Sequence, residues 1–190
     1  MQVTRRCLCN LSLLVLSLCC LGALAASPAQ AATAAEIDKE VDLAIEKLYA
    51  SSPVAKELAT LAKGILVFPA VVKAGLIVGG QYGEGALRVG GKTEAYYNTA
   101  AASYGLQAGA QSFGYAMFLM TDDAMAYLKK SKGWEVGVGP TVVVMDEGLA
   151  KSLTTSTAKD DIYAFIFSQK GLMAGIGLQG SKITPFTPGQ

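Results

Sequence analysis

Four basic side chains are spaced around a glycine-rich stretch in a way that could bind a phosphate group. They are Lys63, Lys73, Arg88 and Lys92, and glycine is frequent between Gly75 and Val89. Lys and Arg side chains donate hydrogen bonds to phosphate oxygens, and glycine lets a ligand approach the backbone. The spacing therefore predicts a basic lip for a lipid headgroup, with ordinary solvated lysines as the alternative.

A second candidate surface is an apolar stripe between residues 37 and 48. Ile37, Val41, Ile45 and Leu48 recur every three or four residues, which is the spacing of one face of an α-helix. Such a face either inserts into a membrane interface or packs on a sheet. We expect the membrane contact, in which these aliphatic side chains meet the acyl chains.

Residue types exclude several kinds of catalysis and metal binding. The chain has no histidine, so catalytic Ser-His and Cys-His pairs and His-based metal sites are excluded. The acidic pairs Asp122-Asp123, Asp146-Glu147 and Asp160-Asp161 fall where a helix start or a turn is expected, and capping is their predicted role. We therefore predict a protein that is not an enzyme and that takes no metal and no cofactor. A hydrolase is the remote alternative.

Two glycine motifs resemble nucleotide-binding loops but lack the required context. Gly91-Lys92-Thr93 has Ala86 where a Walker loop needs glycine, and a strand rather than a helix is predicted after it. The run from Gly79 to Gly85 lies outside any βαβ unit. A net charge of +1 also argues against nucleic acid as a partner. These motifs are therefore interpreted as a hairpin turn and a glycine-rich strand.

Residues 1–31 have the layout of a secretory signal. Arg5 and Arg6 precede an apolar run over residues 11–20, and Ala29-Gln30-Ala31 has the small-x-small pattern of a signal-peptidase site. The run is shorter than the roughly 20 residues of a membrane-spanning helix. We expect an exported protein that lies in the periplasm or associates with a membrane of the cell envelope. An uncleaved anchor or a lipoprotein is the alternative.

The glycine distribution predicts the elements that must position these side chains. Residues 32–63 contain no glycine, whereas residues 64–184 are rich in it, which indicates a helical arm followed by a β-rich body in a single domain. Thr33 and Glu36 have capping-box spacing, and Ser52-Pro53 indicates the start of a second helix. Residues 185–190 are predicted to be a flexible tail.

The body is predicted to consist of strands with one further helix. Gly64 to Phe68 has the pattern of a buried strand that Pro69 ends, and Ser103 to Ser112 that of one half-buried antiparallel strand. Thr121 indicates the start of the further helix, and residues 162–178 suggest a final hairpin. The predicted fold class is α+β, with a glycine-rich, twisted antiparallel sheet that could close like a barrel, an N-terminal helical arm and one further helix.

Several segments, in order, resemble the SYLF domain family, which is also called the Las17-binding family. The resemblance rests on Ala62 to Gly75, Gly79 to Gly85, Tyr96-Tyr97-Asn98, Gly105 to Gln111, Phe118 to Thr121 and Gly133-Trp134. It covers roughly residues 36–182. It implies lipid binding rather than catalysis, because eukaryotic relatives resemble phosphoinositide binders that use an amphipathic N-terminal helix and engage actin regulators.

Bacterial relatives resemble envelope proteins. The resemblance therefore implies a phospholipid or a membrane surface as the partner of this chain. The alternative is an interaction protein of the envelope that binds a protein partner through its glycine- and alanine-rich sheet.

Overall fold

A computed structural model describes residues 32–75, 78–104, 109–130, 134–135, 141–145, 159–171 and 181–189. These residues all belong to one unit, Ala32–Gln190. The signal predicted over residues 1–31 and the second strand of the predicted final hairpin lie outside the described residues.

The described residues form three α-helices whose starts follow local capping signals. The helices are α1 (Ala34–Ser51), α2 (Pro53–Leu61) and α3 (Asp122–Lys130). At the start of α1, the Glu36 N–H donates to the Thr33 hydroxyl at 3.3 Å and the Thr33 N–H donates to the Glu36 carboxylate at 2.9 Å. The hydroxyls of Ser52 and Thr121 cap α2 and α3. The predicted capping box and both predicted helix starts are confirmed.

The strands form one sheet. They are β1 (Gly64–Gly75), β2 (Val78–Val89), β3 (Lys92–Tyr104), β4 (Gly109–Leu119), β5 (Trp134–Glu135), β6 (Val142–Met145), β7 (Ile162–Gly171) and β8 (Lys182–Phe186). Their order across the sheet is β5-β8-β3-β2-β1-β4-β7-β6. The α+β class is confirmed.

The sheet differs from the predicted one in two respects. β6 and β7 are parallel, so the sheet is mixed rather than purely antiparallel. The long connection over residues 146–161 permits the crossover that a parallel pair requires. Among the described strands β5 and β6 lie at opposite edges, so the sheet is open and not a barrel.

Each face of the sheet packs against helices. The outer face, as we name the one under α1 and α2, contributes Val67, Phe118 and Phe165 to a core with both helices. The inner face, under α3, contributes Leu66 and Leu87 to a second core. The sheet therefore lies between two helical layers.

Pro69 lies inside β1 rather than at its end, which corrects the sequence-based prediction. The register against β2 shifts between Val67 and Ala70, so Pro69 occupies a β-bulge within the 12-residue strand. A bulge is one of the few places where a sheet tolerates proline, because the bulged residue leaves the hydrogen-bond ladder.

The bulge reverses the alternation of faces along β1. Before the bulge, the even-numbered residues Leu66 and Phe68 belong to the core of the inner face. After the bulge, the odd-numbered residue Val71 belongs to it. Strict alternation without the bulge would place Val72 inside and Lys73 outside. The structure does the opposite: Val72 is 52% exposed and Lys73 is 6% exposed.

The strand predicted over Ser103 to Ser112 is in fact two strands. β3 ends at Tyr104, β4 begins at Gly109, and β2 and β1 lie between them in the sheet. In both strands, even-numbered residues lie on one face of the sheet and odd-numbered residues on the other. The alternation of the sequence therefore shows no break between β3 and β4. The sequence pattern therefore could not separate them.

The C-terminal residues belong to the sheet. β8 continues to Phe186, beyond the predicted domain end at residue 184, and Phe186 pairs with Tyr96 of β3. Gly189 forms a parallel bridge with Thr33. The described part of the predicted tail is thus joined to both the sheet and the start of α1.

Candidate functional site

The apolar stripe of α1 is part of the core. Ile37 is 3% exposed, Val41 0% and Leu48 2%, while Ile45 is partly buried against the same cluster. The structure therefore corrects the predicted membrane contact: the sheet already removes these side chains from water, and none of the three buried ones is available to acyl chains.

Polar contacts also hold α1 on the sheet. The Asp38 carboxylate accepts hydrogen bonds from the Thr93 hydroxyl at 2.6 Å and the Tyr96 hydroxyl at 3.1 Å. Arg88 Nη2 donates to the Asp38 carbonyl oxygen at 3.0 Å and to the Asp42 carboxylate at 2.7 Å. We call these five residues the α1 anchor. Lifting α1 would break this anchor as well as the apolar packing.

The four predicted basic residues do not form a common lip. The ammonium of Lys63 lies 3.7 Å from the Asp122 carboxylate, and Arg88 belongs to the α1 anchor. Lys92 is exposed beside the turn between β2 and β3. Lys73 is ten residues from Lys63, or about 33 Å of extended strand, and it is buried on the inner face. One headgroup therefore cannot contact all four.

Beyond the bulge, the outer face is exposed. Backbone register aligns one residue from each of six neighbouring strands there, and we call this set the outer row. In order from β8 to β7 the outer row is Lys182, Ala100, Tyr82, Val72, Ser112 and Lys170. Five strand spacings make it about 24 Å long.

The centre of the outer row is apolar and its two ends are cationic. Val72 is 52% exposed and Tyr82 is 50% exposed. Lys170 and Lys182 are also exposed, and neither forms an ion pair with another described residue. The row thus combines exposed hydrophobic area with positive charge on either side.

Small residues make the adjacent surface flat. The next aligned positions are Ala102, Gly80, Ala74 and Ala110. A Cβ added to Gly80 would meet no atom within 4 Å. No large side chain therefore rises above the strands at these positions.

A groove lies between α1 and the outer face at the bulge. Its volume is about 300 Å³, and its lining includes Leu43 and Lys47 of α1, Pro69 of β1 and Phe167 of β7. Leu43 is 46% exposed. The groove provides a further apolar surface on the outer face.

Tyr82 is held in the outer row as a neutral side chain. Its hydroxyl donates to the Glu84 carboxylate at 2.7 Å. Partial burial and this carboxylate raise the pKa of Tyr82 to about 12. The phenol therefore stays protonated at physiological pH, and the centre of the row carries no charge from it.

The described acidic pairs have structural contacts. Asp122 and Asp123 lie in the first turn of α3. The Asp161 carboxylate accepts hydrogen bonds from the Thr141 N–H at 3.1 Å, the Thr141 hydroxyl at 3.0 Å and the Thr121 hydroxyl at 3.1 Å. Asp146-Glu147 lies outside the described residues. Within the described part of the chain, no cluster of three or more His, Cys, Asp or Glu could hold a metal ion.

The helices of the described ranges are too short or too polar to cross a bilayer.

Sequence reasoning missed the whole outer row. Val72 and Tyr82 are each five positions from residue 77 along the sequence. Predicting a hairpin centred on that residue would therefore have paired them. Lys170 and Lys182 carry no comparable signal, because only the order of the strands aligns them with that pair. The first two could have been found from the sequence, and the lysines could not.

A comparison with known protein families supports the family resemblance of the sequence. In a comparison with protein-family models, residues 100–187 match the family described as Ysc84, Las17-binding protein actin regulator. A search of curated proteins found no match. The matched range includes Ala100, Ser112, Lys170 and Lys182 of the outer row, whereas Val72 and Tyr82 precede it. The match agrees with the ordered motifs of the sequence and supports the SYLF, or Las17-binding, domain family for this chain.

Proposed function

We propose that this protein binds the surface of an anionic phospholipid membrane through its outer row, without catalysing a reaction. The observation that carries the proposal is the alignment of exposed Val72 and Tyr82 between Lys170 and Lys182. The apolar side chains gain free energy by leaving water, and the lysines are attracted to anionic headgroups.

The geometry suits peripheral binding. Val72 and the ring of Tyr82 would enter the headgroup region, where a tyrosine can bury its ring and keep its hydroxyl wet. The lysine stems can lie along apolar surface while their ammonium groups reach phosphate. Each lysine near an anionic surface contributes about 1 kcal/mol, so the proposed binding is reversible and sensitive to salt.

This proposal keeps the phospholipid class that the family resemblance implies but moves the contact from α1 to the sheet. α1 is held by its buried stripe and by the α1 anchor. The outer row needs no such rearrangement, because its side chains are already exposed.

A protein partner is the second candidate. The family description names Las17 binding, which is an interaction with a protein. The flat alanine and glycine surface beside the outer row could accept a protein as well as a membrane. The two candidates differ in their response to lipid charge.

Vesicle co-sedimentation of the protein tests the proposal. We expect pelleting with vesicles of phosphatidylcholine mixed with phosphatidylglycerol and little with phosphatidylcholine alone. The double variant Lys170→Glu/Lys182→Glu should bind at least about tenfold more weakly, because reversing two lysines removes more than about 1.4 kcal/mol.

A matched double variant provides the control. Lys56→Glu/Lys92→Glu makes the same change in net charge at two other exposed lysines and should alter binding less than about twofold. An equal loss in both variants would contradict the outer row as the binding surface. Capture of a stoichiometric protein partner, with no vesicle binding, would support the second candidate.

Hydrophobic contact is tested separately. Val72→Thr keeps the shape of the side chain while adding a hydroxyl, and it should weaken vesicle binding. Val144→Thr makes the same change at a residue that is 41% exposed on β6, away from the outer row, and should leave binding unchanged.

Export to the cell envelope is also part of the proposal and is supported by the pattern of residues 1–31. Fractionation of cells that produce the full chain, with mass measurement of the recovered protein, tests it. We expect an envelope fraction and a mass that corresponds to a chain beginning at Ala32.

A further inference from the structure

Lys73 is a cation buried on the inner face without an acidic partner among the described residues. It is 6% exposed, and no ion pair or hydrogen bond joins it to another described residue. A buried lysine is normally paired, because removing an ammonium from water is costly. An anion bound beside Lys73 would supply such a partner.

Two amide side chains lie on either side of Lys73 in the sheet. Lys73 is directly opposite Gln81 of β2 and Gln111 of β4. Directly opposed residues of antiparallel strands place their Cβ atoms about 4.5–5.5 Å apart on the same face. Gln111 is 5% exposed, and its Oε1 has no hydrogen-bond partner. That oxygen accepts hydrogen bonds, whereas the Lys73 ammonium and the two amide nitrogens donate them, so three side chains with donor nitrogens share one row.

Two buried hydroxyls lie further along the same face. Thr99 of β3 is 0% exposed, and Ser181, which immediately precedes β8, is 2% exposed. Neither hydroxyl has a hydrogen-bond partner. Gly83 is paired with Thr99 and Gln81 is paired with Ala101, so only small residues separate the hydroxyls from the lysine row. We call Lys73, Gln81, Thr99, Gln111 and Ser181 the inner cluster.

Unpartnered polar atoms are concentrated on this face. In the described ranges, five buried side-chain nitrogen or oxygen atoms lack a hydrogen-bond partner. Those of Thr99, Gln111, Tyr115 and Ser181 belong to the inner face, and only Arg88 Nε belongs to the outer one. Buried polar groups are nearly always satisfied, so a bound ligand or ordered water must supply partners for these atoms.

The charges nearby favour an oxyanion over a cation. The described carboxylates of β2 and β3 lie elsewhere: Glu84 is on the outer face beside Tyr82, and Glu94 is seven residues along β3 from Ala101, paired with Lys129 at 2.6 Å. Ammonium, amide and hydroxyl groups all donate hydrogen bonds, and phosphate oxygens accept them.

We propose that the inner cluster binds a phosphate group, supplied either by a lipid headgroup or by free phosphate. Lys73 provides the charge, and the amides and hydroxyls complete the donor set. The inner cluster is on the opposite face of the sheet from the outer row. Its test is therefore independent of the vesicle experiment.

Calorimetric titration of the full chain tests the site with two soluble probes. One is inorganic phosphate, and the other is dihexanoyl phosphatidic acid kept below its micelle concentration. Binding of both supports a site for free phosphate, and binding of the lipid alone supports a headgroup site. In either case, Lys73→Met should weaken binding at least tenfold, because the only described charge of the cluster is lost.

Matched variants separate this role from a structural one. Lys92→Met makes the same change at an exposed lysine and should keep the wild-type affinity. Gln111→Leu should weaken binding and serves as the test if Lys73→Met does not fold. The proposal is overturned if the folded wild type binds neither probe, if chloride at equal ionic strength gives the same response, or if the folded inner-cluster variants bind like the wild type.

Discussion

The two halves of the outer face are built from the same strands but have different surroundings. Before the bulge at Pro69, β1, β4 and β7 contribute Val67, Phe118 and Phe165 to the core under α1 and α2. Beyond it, the same strands contribute Val72, Ser112 and Lys170 to the outer row. The comparison shows that one sheet can provide both a core and an exposed surface when its strands extend past their helices.

The side chains of the two halves explain the difference. The covered half presents aromatic and aliphatic groups, whose burial stabilises by about 25 cal/mol per Å². The exposed half presents mainly alanine, glycine and serine, which offer a helix little area to bury. We infer that the helices stop where the large side chains stop.

Truncation of the buried stripe should have the largest effect on stability. Leu48→Ala should lower the free energy of unfolding by about 2–5 kcal/mol, because it opens a cavity between α1 and the sheet. Urea denaturation measures the loss. Leu43→Ala, at a residue 46% exposed on the same helix, should cost less than about 0.5 kcal/mol. Equal losses at the two positions would contradict the assignment of the buried face.

Weakening of the α1 anchor should have the second-largest effect on stability. Arg88→Gln loses the hydrogen bonds to Asp42 and to the Asp38 carbonyl oxygen and should cost about 1.5–3 kcal/mol. Hydrogen exchange should show faster exchange of the α1 amides. Lys92→Gln removes an exposed cation nearby and should leave exchange unchanged. If Arg88→Gln exchanges like the wild type, Arg88 does not contribute measurably to holding α1 on the sheet.

Two glycine substitutions in β2 compare a crowded position with an open one. A Cβ at Gly85 would collide with the Val67 carbonyl oxygen and the Phe68 ring, so Gly85→Ala should destabilise by about 1–3 kcal/mol or more. Gly80→Ala meets no atom within 4 Å and should be neutral or slightly stabilising. Thermal unfolding of both variants measures the difference. Comparable losses would show that Gly80 is covered.

The smallest effect concerns acid stability at the β6 edge. Hydrogen bonds from Thr141, then from Thr121, hold the pKa of Asp161 below its ordinary value of 3.8. The carboxylate therefore stabilises the fold above pH 3.8, and this contribution is lost as the pH falls through the lower folded value. Asp161 is largely hydrated, so Asp161→Asn should cost less than about 1 kcal/mol at neutral pH.

Denaturation at several pH values measures this contribution. The difference between wild type and Asp161→Asn should shrink as the solution becomes more acidic than pH 3.8. Thr141→Val should reduce the same pH dependence, because it removes a donor to the carboxylate. A difference that is constant with pH would show that the hydrogen bonds do not depend on the charge.

Features that depend on neighbouring residues could be predicted from the amino-acid sequence. The capping box of Thr33 and Glu36, the start of α2 at Pro53 and the turn at Gly90-Gly91 all formed as predicted. Each depends on hydrogen bonds or backbone angles within a few residues. The glycine pair, for example, adopts φ values of 56° and 78°, which L side chains disfavour.

Which surfaces are available for binding depends on how distant parts of the chain pack together. Periodicity showed that α1 has an apolar face but not whether a sheet or a membrane covers it. The bulge at Pro69 turned Val72 outward and Lys73 inward, and the strand order aligned Lys170 with Lys182 across the sheet. A single inserted residue reverses every later side chain in a strand, and pairing between distant strands has no local signal.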